Sequence, residues 1–366
     1  MALGGVETLK VLIFLLLSSA AIAQPLRVGI AGLTHGHAGG FFNRNLPRAL
    51  DLEVVGVSEP DKELGAKYAA RYRIAATRIF TSHAEMLDKT KPEVVMIFSS
   101  TFDHKEIVEL CAKRKIPVMM EKPLAVSMEH ARAIQASAKS SGIAVMVNYE
   151  TTWYAVNGPI QAMVKEGKLG EIRRIVTHYG HQGPKEIGVG PEFLDWLTDP
   201  EKNGAGALFD FGCYGANFAT WLFANERPLS VFAIARTNKP DIYPKVDDEA
   251  TVVVQYPKTQ LIIQPSWNWP FSRKDMEVYG QKGYLITLDP SVYRFRTDGM
   301  KQEQSTVAPQ LPAPDNDVIR YLTAVVRENL KPTGLSSLEN NMIVTEILAA
   351  ARESARTGRL VTLPSK

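Results

Sequence analysis

Between Leu26 and Asn148 the chain repeats one pattern, a short apolar run followed by an amphipathic stretch, and this repetition constrains the fold more than any other feature. The apolar runs Leu26–Gly32, Leu52–Ser58, Arg78–Phe80, Glu93–Phe98, Ile116–Met119 and Ile143–Asn148 have the length of strands buried on both faces. Helical spacing fills Asp61–Tyr72, Ser82–Asp88, Asp103–Arg114 and Ser127–Ser141; in the third of these, Ile107, Val108 and Cys111 share a face. Strand and helix alternating at this interval predict βαβ units, hence a parallel, doubly wound α/β sheet. Such sheets hold their ligands at the carboxyl ends of the strands, so residues there are the first candidates for function.

The first strand runs into Gly32-Leu33-Thr34-His35-Gly36-His37. A glycine-rich turn between strand and helix lets backbone amides approach a pyrophosphate. Aligned on Gly32, the usual second and third glycines of a dinucleotide fingerprint become Thr34 and His37, with Gly36 nearby. The second strand ends in Glu59, a carboxylate placed to accept hydrogen bonds from adenosine ribose hydroxyls and to repel a 2′-phosphate. NAD is therefore favoured as cofactor, with NADP left open. Ser99 and Ser100 follow the fourth apolar run, and His104 opens the next helix, close to the expected cofactor cleft. After the fifth run comes Glu121-Lys122-Pro123. Proline fixes the backbone beside it, so the lysine at this strand end is aimed and not merely tethered.

Past Asn148 the pattern changes. A helix is expected over Asn157–Glu166, a strand over Ile172–Tyr179, and a Gly-, Pro- and aromatic-rich loop over Gly180–Pro200. Helical spacing returns from Phe209 to Phe223, where Asp210 and Tyr214, four apart, share a face. Closely spaced runs at Leu229–Ala235, Ala250–Gln255, Gln260–Ser266, Met276–Gly280 and Tyr284–Leu288 predict an antiparallel sheet. Helices at Asn316–Arg327 and Leu338–Thr357 close the chain. The expected division is a leader over 1–23, a nucleotide-binding domain over 24–148 and an α+β substrate and oligomerisation domain over 149–366.

In the leader, Lys10 precedes the apolar run Val11–Leu17, and Ala21 and Ala23 make an Ala-x-Ala cleavage site. The run is too short to span a bilayer. An exported protein, periplasmic or secreted and cleaved after Ala23, is expected, with no membrane attachment afterwards. The 42 Lys and Arg are interspersed with 39 Asp and Glu, which is no nucleic-acid footprint. Cys111 and Cys213 lie in apolar surroundings and read as separate buried thiols. No Cys/His spacing resembles a zinc site, and no metal is expected.

Two segments carry a resemblance: Glu121-Lys122-Pro123, and Gly204 to Tyr214 with its Gly-x-Gly-Ala-Leu-x-Asp-x-Gly-Cys-Tyr pattern. Val246-Asp247-Asp248, Val278–Gly283 and Glu353–Gly358 support it. From about Leu26 to its end the chain resembles the glucose–fructose oxidoreductase and inositol dehydrogenase family, Gfo/Idh/MocA. The resemblance implies a Rossmann domain, a C-terminal domain built on a large open sheet, and NAD or NADP as cofactor. It implies oxidation or reduction of a carbon of a sugar, polyol or related molecule, and a homodimer or homotetramer formed through the open sheet. Many members have a histidine four residues after the aspartate. Tyr214 makes this chain similar to the glucose–fructose oxidoreductase and dihydrodiol dehydrogenase branch.

On that reading Tyr214 would take the substrate's hydroxyl proton. A free tyrosine, with a pKa of about 10, is too weak a base near neutrality, so Lys122 would have to draw that value down. Lys122 would also stabilise developing alkoxide charge. Asp210 would bind a substrate hydroxyl or orient the lysine, and Glu121 would reach the nicotinamide ribose by analogy with the family. Trp153, Tyr154, His181 and Asn217 are candidates for the substrate pocket. An exported dehydrogenase needs a cofactor that it never releases, so coupled oxidation of one sugar and reduction of another on retained nucleotide is favoured. The alternatives are an NAD-dependent, redox-neutral glycoside hydrolase or lyase, and a carbohydrate-binding relative without turnover.

Overall fold

The computed structural model describes residues 24–49 and 51–364; the leader expected over 1–23 lies outside them. Six strands form one parallel sheet: β1 (Leu26–Ala31), β2 (Leu52–Ser58), β3 (Ile79–Phe80), β4 (Val94–Ile97), β5 (Val118–Glu121) and β6 (Val145–Asn148). Their order is β3-β2-β1-β4-β5-β6, so the winding reverses between β1 and β4 and a crevice opens at the carboxyl ends there. Helices α1 (His37–Gly40), α2 (Lys62–Tyr72), α3 (His83–Thr90), α4 (His104–Ala112) and α5 (Met128–Ser141) connect the strands. Local chemistry sets the helix ends. The side chains of Asp61, Ser82 and Ser127 accept first-turn amides of α2, α3 and α5. Gly142, left-handed at φ 73°, terminates α5.

The chain then passes through α6 (Asn157–Lys165) into β7 (Ile172–Gly180). A short helix, α7 (Pro191–Leu197), lies within the stretch expected as loop, and α8 (Pro200–Asn203) begins at its end. The single helix expected from Phe209 is two: α9 (Ala207–Asp210) and α10 (Gly212–Leu222). β8 (Ser230–Arg236), β9 (Glu249–Gln255), β10 (Gln260–Ser266), β11 (Arg273–Gly280), β12 (Gly283–Thr287), β13 (Val292–Thr297) and β14 (Gln304–Val307) follow. α11 (Val318–Arg327), α12 (Leu338–Thr357) and β15 (Val361–Thr362) end the described chain.

The second sheet has nine strands in the order β14-β13-β12-β11-β7-β10-β9-β8-β15. β10 runs parallel to β7, and the other pairings are antiparallel. Alternation gives it two faces. α10 and α12 pack on one, over residues such as Val231, Ala233, Val252, Val254, Leu261 and Ile263, all buried. On the other face Phe232, Val253, Ile262 and Val176 fall in cross-strand register and stay half-exposed. α11 leaves this half and returns to the first sheet: Val318, Ile319, Tyr321, Leu322 and Val325 pack with Leu26, Val28, Met96, Met119 and Met146. Cys111 and Cys213 are both free and buried.

Candidate active site

Lys122 is the first residue beyond β5, and its peptide bond to Pro123 is cis. Its ammonium donates to the main-chain carbonyl of Asp210 at 3.1 Å and pairs with the Asp210 carboxylate. Both residues are 5% exposed. The second carboxylate oxygen of Asp210 accepts Trp267 Nε1–H at 3.0 Å. Burial alone would lift the Asp210 carboxyl, but Lys122 beside it holds it below the usual range. Burial would likewise lower the Lys122 ammonium, and Asp210 carries it above its ordinary value. The segment bearing Asp210 is held from below. The Asp247 carboxylate accepts the amides of Gly206 and Leu208 at 2.8 and 2.7 Å.

Phe211 breaks the helix between Asp210 and Tyr214, so the uninterrupted face that periodicity expects is absent; Asp210 ends α9 and Tyr214 lies in the first turn of α10. Lys122 Nζ nevertheless sits 5.4 Å from the centre of the Tyr214 ring. That ring stacks on Tyr179, with centroids 5.1 Å apart, and meets Tyr149 edge-on at 5.4 Å. Tyr214 is 2% exposed, and burial pushes its hydroxyl well above the ordinary tyrosine value. The expectation that Lys122 draws the phenol down is therefore corrected. The lysine's charge is matched by Asp210, and desolvation of the phenolate dominates.

A second lysine, which no sequence motif marks, faces the same ring. Lys274 of β11 lies 5.6 Å from its centre and pairs with Glu150. Glu150 also accepts the Tyr154 hydroxyl at 3.1 Å. Against the cost of burial, Lys274 holds the Glu150 carboxyl below its usual range. Neither residue has a local signature: one follows a strand, the other sits inside one.

At the glycine turn, Gly32 has φ 80°, and a Cβ there would stand 2.8 Å from the Ser99 backbone. Ser99 Oγ donates to the Ser100 carbonyl at 3.1 Å, and Ser100 Oγ bonds Asp103 at 2.6 Å. Glu59 is buried, and its oxygens accept the amides of Leu33 at 2.7 Å and Asp61 at 3.0 Å. It grips the turn rather than standing free at the strand tip. α7 covers the turn from above: Trp196 Nε1–H donates to the Thr34 carbonyl at 3.3 Å, and Phe193 packs 4.8 Å from the His35 ring and over Gly36. Buried His35 accepts the His37 amide on Nδ1 at 3.1 Å.

His37 Nδ1 lies 2.9 Å from Glu121 Oε2. The other Glu121 oxygen accepts Asn148 Nδ2–H at 3.1 Å, and Asn148 Oδ1 accepts Trp153 Nε1–H at 3.1 Å. Glu121, expected on a ribose, thus has both oxygens engaged by protein. His35, His37 and Glu121 offer donor atoms within 4.8 Å of one another. His35 accepts an N–H on Nδ1, however, so its Nε2 carries the proton and is a donor, not a metal ligand. His37, Glu121, Asn148, Glu150 and Trp153 line one end of a cavity of about 870 Å³. Lys122, Asp210 and Tyr214 do not line it.

Two candidates stand elsewhere. His104 is buried, with Nδ1–H donating to the Leu124 carbonyl at 3.2 Å, so it props the Lys122 loop from behind. Asn217, expected near substrate, instead donates to the Leu335 carbonyl at 2.8 Å and to Asn341 at 3.3 Å, between α10 and α12. His181 stays near the site, edge-on to Phe211 at 5.0 Å with Nδ1 accepting the Gly183 amide at 2.9 Å.

A dinucleotide suits this crevice. Gly32 allows close backbone approach, a carboxylate braces the turn at the end of β2, and the buried Nε2–H of His35 has no partner in the protein. Residues 26–149 match the model of an oxidoreductase family with an NAD-binding Rossmann fold, and residues 159–286 match the GFO/IDH/MocA C-terminal domain. The chain is 26% identical over 331 residues to trans-1,2-dihydrobenzene-1,2-diol dehydrogenase of Bos taurus, covering 88% of this chain and 92% of that one. Among solved structures it is similar to aldose-aldose oxidoreductase from Caulobacter crescentus complexed with glycerol, with TM-score 0.79, 22% identity, and 93% and 100% of the two chains covered. An inositol dehydrogenase homolog from Azotobacter vinelandii complexed with NAD+ gives TM-score 0.77, 18% identity, and 94% and 98% coverage. Those two likenesses show the fold, and the two family models, which between them cover the first sheet and most of the second, establish that the chain belongs to the Gfo/Idh/MocA family of NAD-binding oxidoreductases.

Proposed function

We propose that the protein oxidises or reduces a CH–OH carbon of a sugar, polyol or related compound with NAD. The observation that carries this reading is the buried Lys122–Asp210 pair beside the nucleotide crevice. Bound there, the dinucleotide supplies the acceptor or donor of hydride. Lys122 directs N–H bonds at the substrate oxygen as its charge develops, and Asp210, fixed by Trp267, keeps the ammonium charged and in place. Tyr214, neutral at working pH, walls the ammonium and offers its hydroxyl as a donor. Trp153, Tyr154 and His181 bound the polyhydroxy substrate. The dihydrodiol dehydrogenase relatives and the sugar- and polyol-related names among the structural neighbours support this substrate class. Glu59 at the end of β2 has its oxygens engaged by the Leu33 and Asp61 amides, so it acts on the ribose end through its charge alone, against a 2′-phosphate, which supports NAD over NADP.

The protein works after export on nucleotide that it retains, with α7 folded over the glycine turn, and assembles through the uncovered face of the nine-stranded sheet. Mature protein isolated from the periplasm should carry NAD(H), seen by absorbance and mass spectrometry. A screen of sugars and polyols should then give substrate-dependent nicotinamide fluorescence. Lys122→Met should lower kcat by roughly two orders of magnitude or more while nucleotide stays bound. Protein that neither contains nor binds NAD(H) overturns the reading.

A further inference from the structure

We propose that Lys274 and Glu150 form the specificity-determining contact of the site, a matched ion pair that takes a second hydroxyl of an uncharged polyhydroxy substrate and turns away one bearing a carboxylate. This rests on the oxidoreductase reading above and narrows its substrate class. Lys274 reaches the site by strand register. It lies directly opposite Tyr179 on the paired strands β11 and β7, so both side chains leave the sheet on the side of α10. There Tyr179 stacks on Tyr214, and the Lys122 and Lys274 ammoniums stand 5.4 and 5.6 Å from the centre of that same Tyr214 ring. His181 is close to both lysines. Burial lowers its imidazole most, and the charges that act on it next are those of Asp210, Lys274 and Lys122.

The two lysines differ in what they leave open. Lys122 is buried and spends N–H groups on the Asp210 carbonyl and carboxylate, which leaves one for the reacting oxygen. The side chains of Lys274 and Glu150 are 27% and 50% exposed, and an ion pair this open adds little to folding stability. Among the described residues the Lys274 ammonium hydrogen-bonds Glu150 alone, so two of its three N–H groups are open. Glu150 is steadied by the Tyr154 hydroxyl and forms part of the wall of the cavity that His37 and Glu121 also line. The pair therefore joins the Tyr214 site to that cavity. Ammonium and carboxylate side by side offer a donor and an acceptor to a hydroxyl, which is itself both. To a carboxylate they offer less, because the Lys274 charge is already matched and Glu150 repels a second anion. Lys122 is matched by Asp210 in the same way, so both cations facing Tyr214 carry their own counter-charge.

Titration calorimetry on the protein holding NADH tests this, with glucose against glucuronate and galactose against galacturonate. The wild type should bind each neutral sugar roughly tenfold or more tighter than its carboxylate. Glu150→Gln, which leaves the Lys274 charge unmatched, should shift that ratio toward the carboxylate by roughly tenfold or more. Lys274→Met should weaken the neutral sugars roughly 10–100-fold, and Lys274→Arg should restore most of the loss. With any sugar that is turned over, the Lys274→Met defect should fall on KM and leave kcat nearly unchanged, a split that a merely structural role does not give. Wild-type protein that binds a carboxylate as tightly as its neutral partner, or binds none of the four compounds, overturns the proposal. A Lys274→Met protein with wild-type affinity also overturns it, and Lys122-dependent turnover then leaves the oxidoreductase reading standing. Protein that cannot hold NAD(H) overturns that reading instead, and the same titrations on the nucleotide-free chain still decide the charge preference.

Discussion

Lys122 keeps its charge inside the protein because Asp210 matches it, and neither can be removed alone without leaving an ion in a nearly dry pocket. Asp210→Asn should therefore destabilise by about 3–5 kcal/mol, more than an exposed pair ever would. Urea midpoints of the wild type and the variant check it. His104 gives a second prediction at this scale. Burial, the leading cause, pushes its imidazole from 6.5 down to about 4, so it folds neutral. Between those values the unfolded chain binds a proton that the folded chain does not, and stability must fall as pH drops below about 6.5, levelling near 4. The loss is of order 3 kcal/mol from this group, and His35, also buried and lowered, acts in the same direction. His104→Asn should flatten the slope of stability against pH over that range in denaturation series. These residues were legible unequally. The Glu-Lys-Pro triplet and Asp210 announce themselves by motif, whereas the His37–Glu121 contact joins residues 84 apart and leaves no local pattern. The direction of the Tyr214 shift depends on burial, which no spacing reveals.

Elements built from buried apolar runs were read directly, because a strand covered on both faces must be apolar at nearly every position and so stands out from its flanks. The misses have physical causes. β13 alternates arginine with aromatic residues on a half-buried surface, and β14 is wholly exposed and polar up to Val307, so no face stands out. α7 begins with Pro191 at its first position, inside a Gly- and Pro-rich stretch that otherwise reads as turn. The break at Phe211 keeps apolar spacing on both sides, and periodicity alone joins α9 to α10. What seats α9 is contact with Asp247: a Cβ on Gly206 would lie 1.8 Å from the Asp247 carbonyl oxygen. No rotamer relieves a clash of backbone with backbone. Gly206→Ala should cost about 4 kcal/mol or more, the range kept for buried strain, and should move Asp210 off Lys122. Thermal unfolding and the yield of soluble protein test this.

At the scale of the whole molecule, the described residues cover the nine-stranded sheet on one face only. Phe232, Val253, Ile262 and Val176 form a row on the other, and Ile234 is 57% exposed. Apolar rows of this kind mark association surfaces. Ile262→Lys should give a smaller species by light scattering with an unchanged circular dichroism spectrum. The joint between the halves has a different consequence. α11 roofs the first sheet although it follows the second in sequence, and Arg327 at its end is clamped to Glu93 and to the carbonyl of Pro25. Residues 24–148, cut out and grafted onto a foreign partner, would leave Met96, Met119 and Met146 bare and would precipitate. Swapping nucleotide-binding modules between relatives therefore requires carrying the distant helix along with the graft.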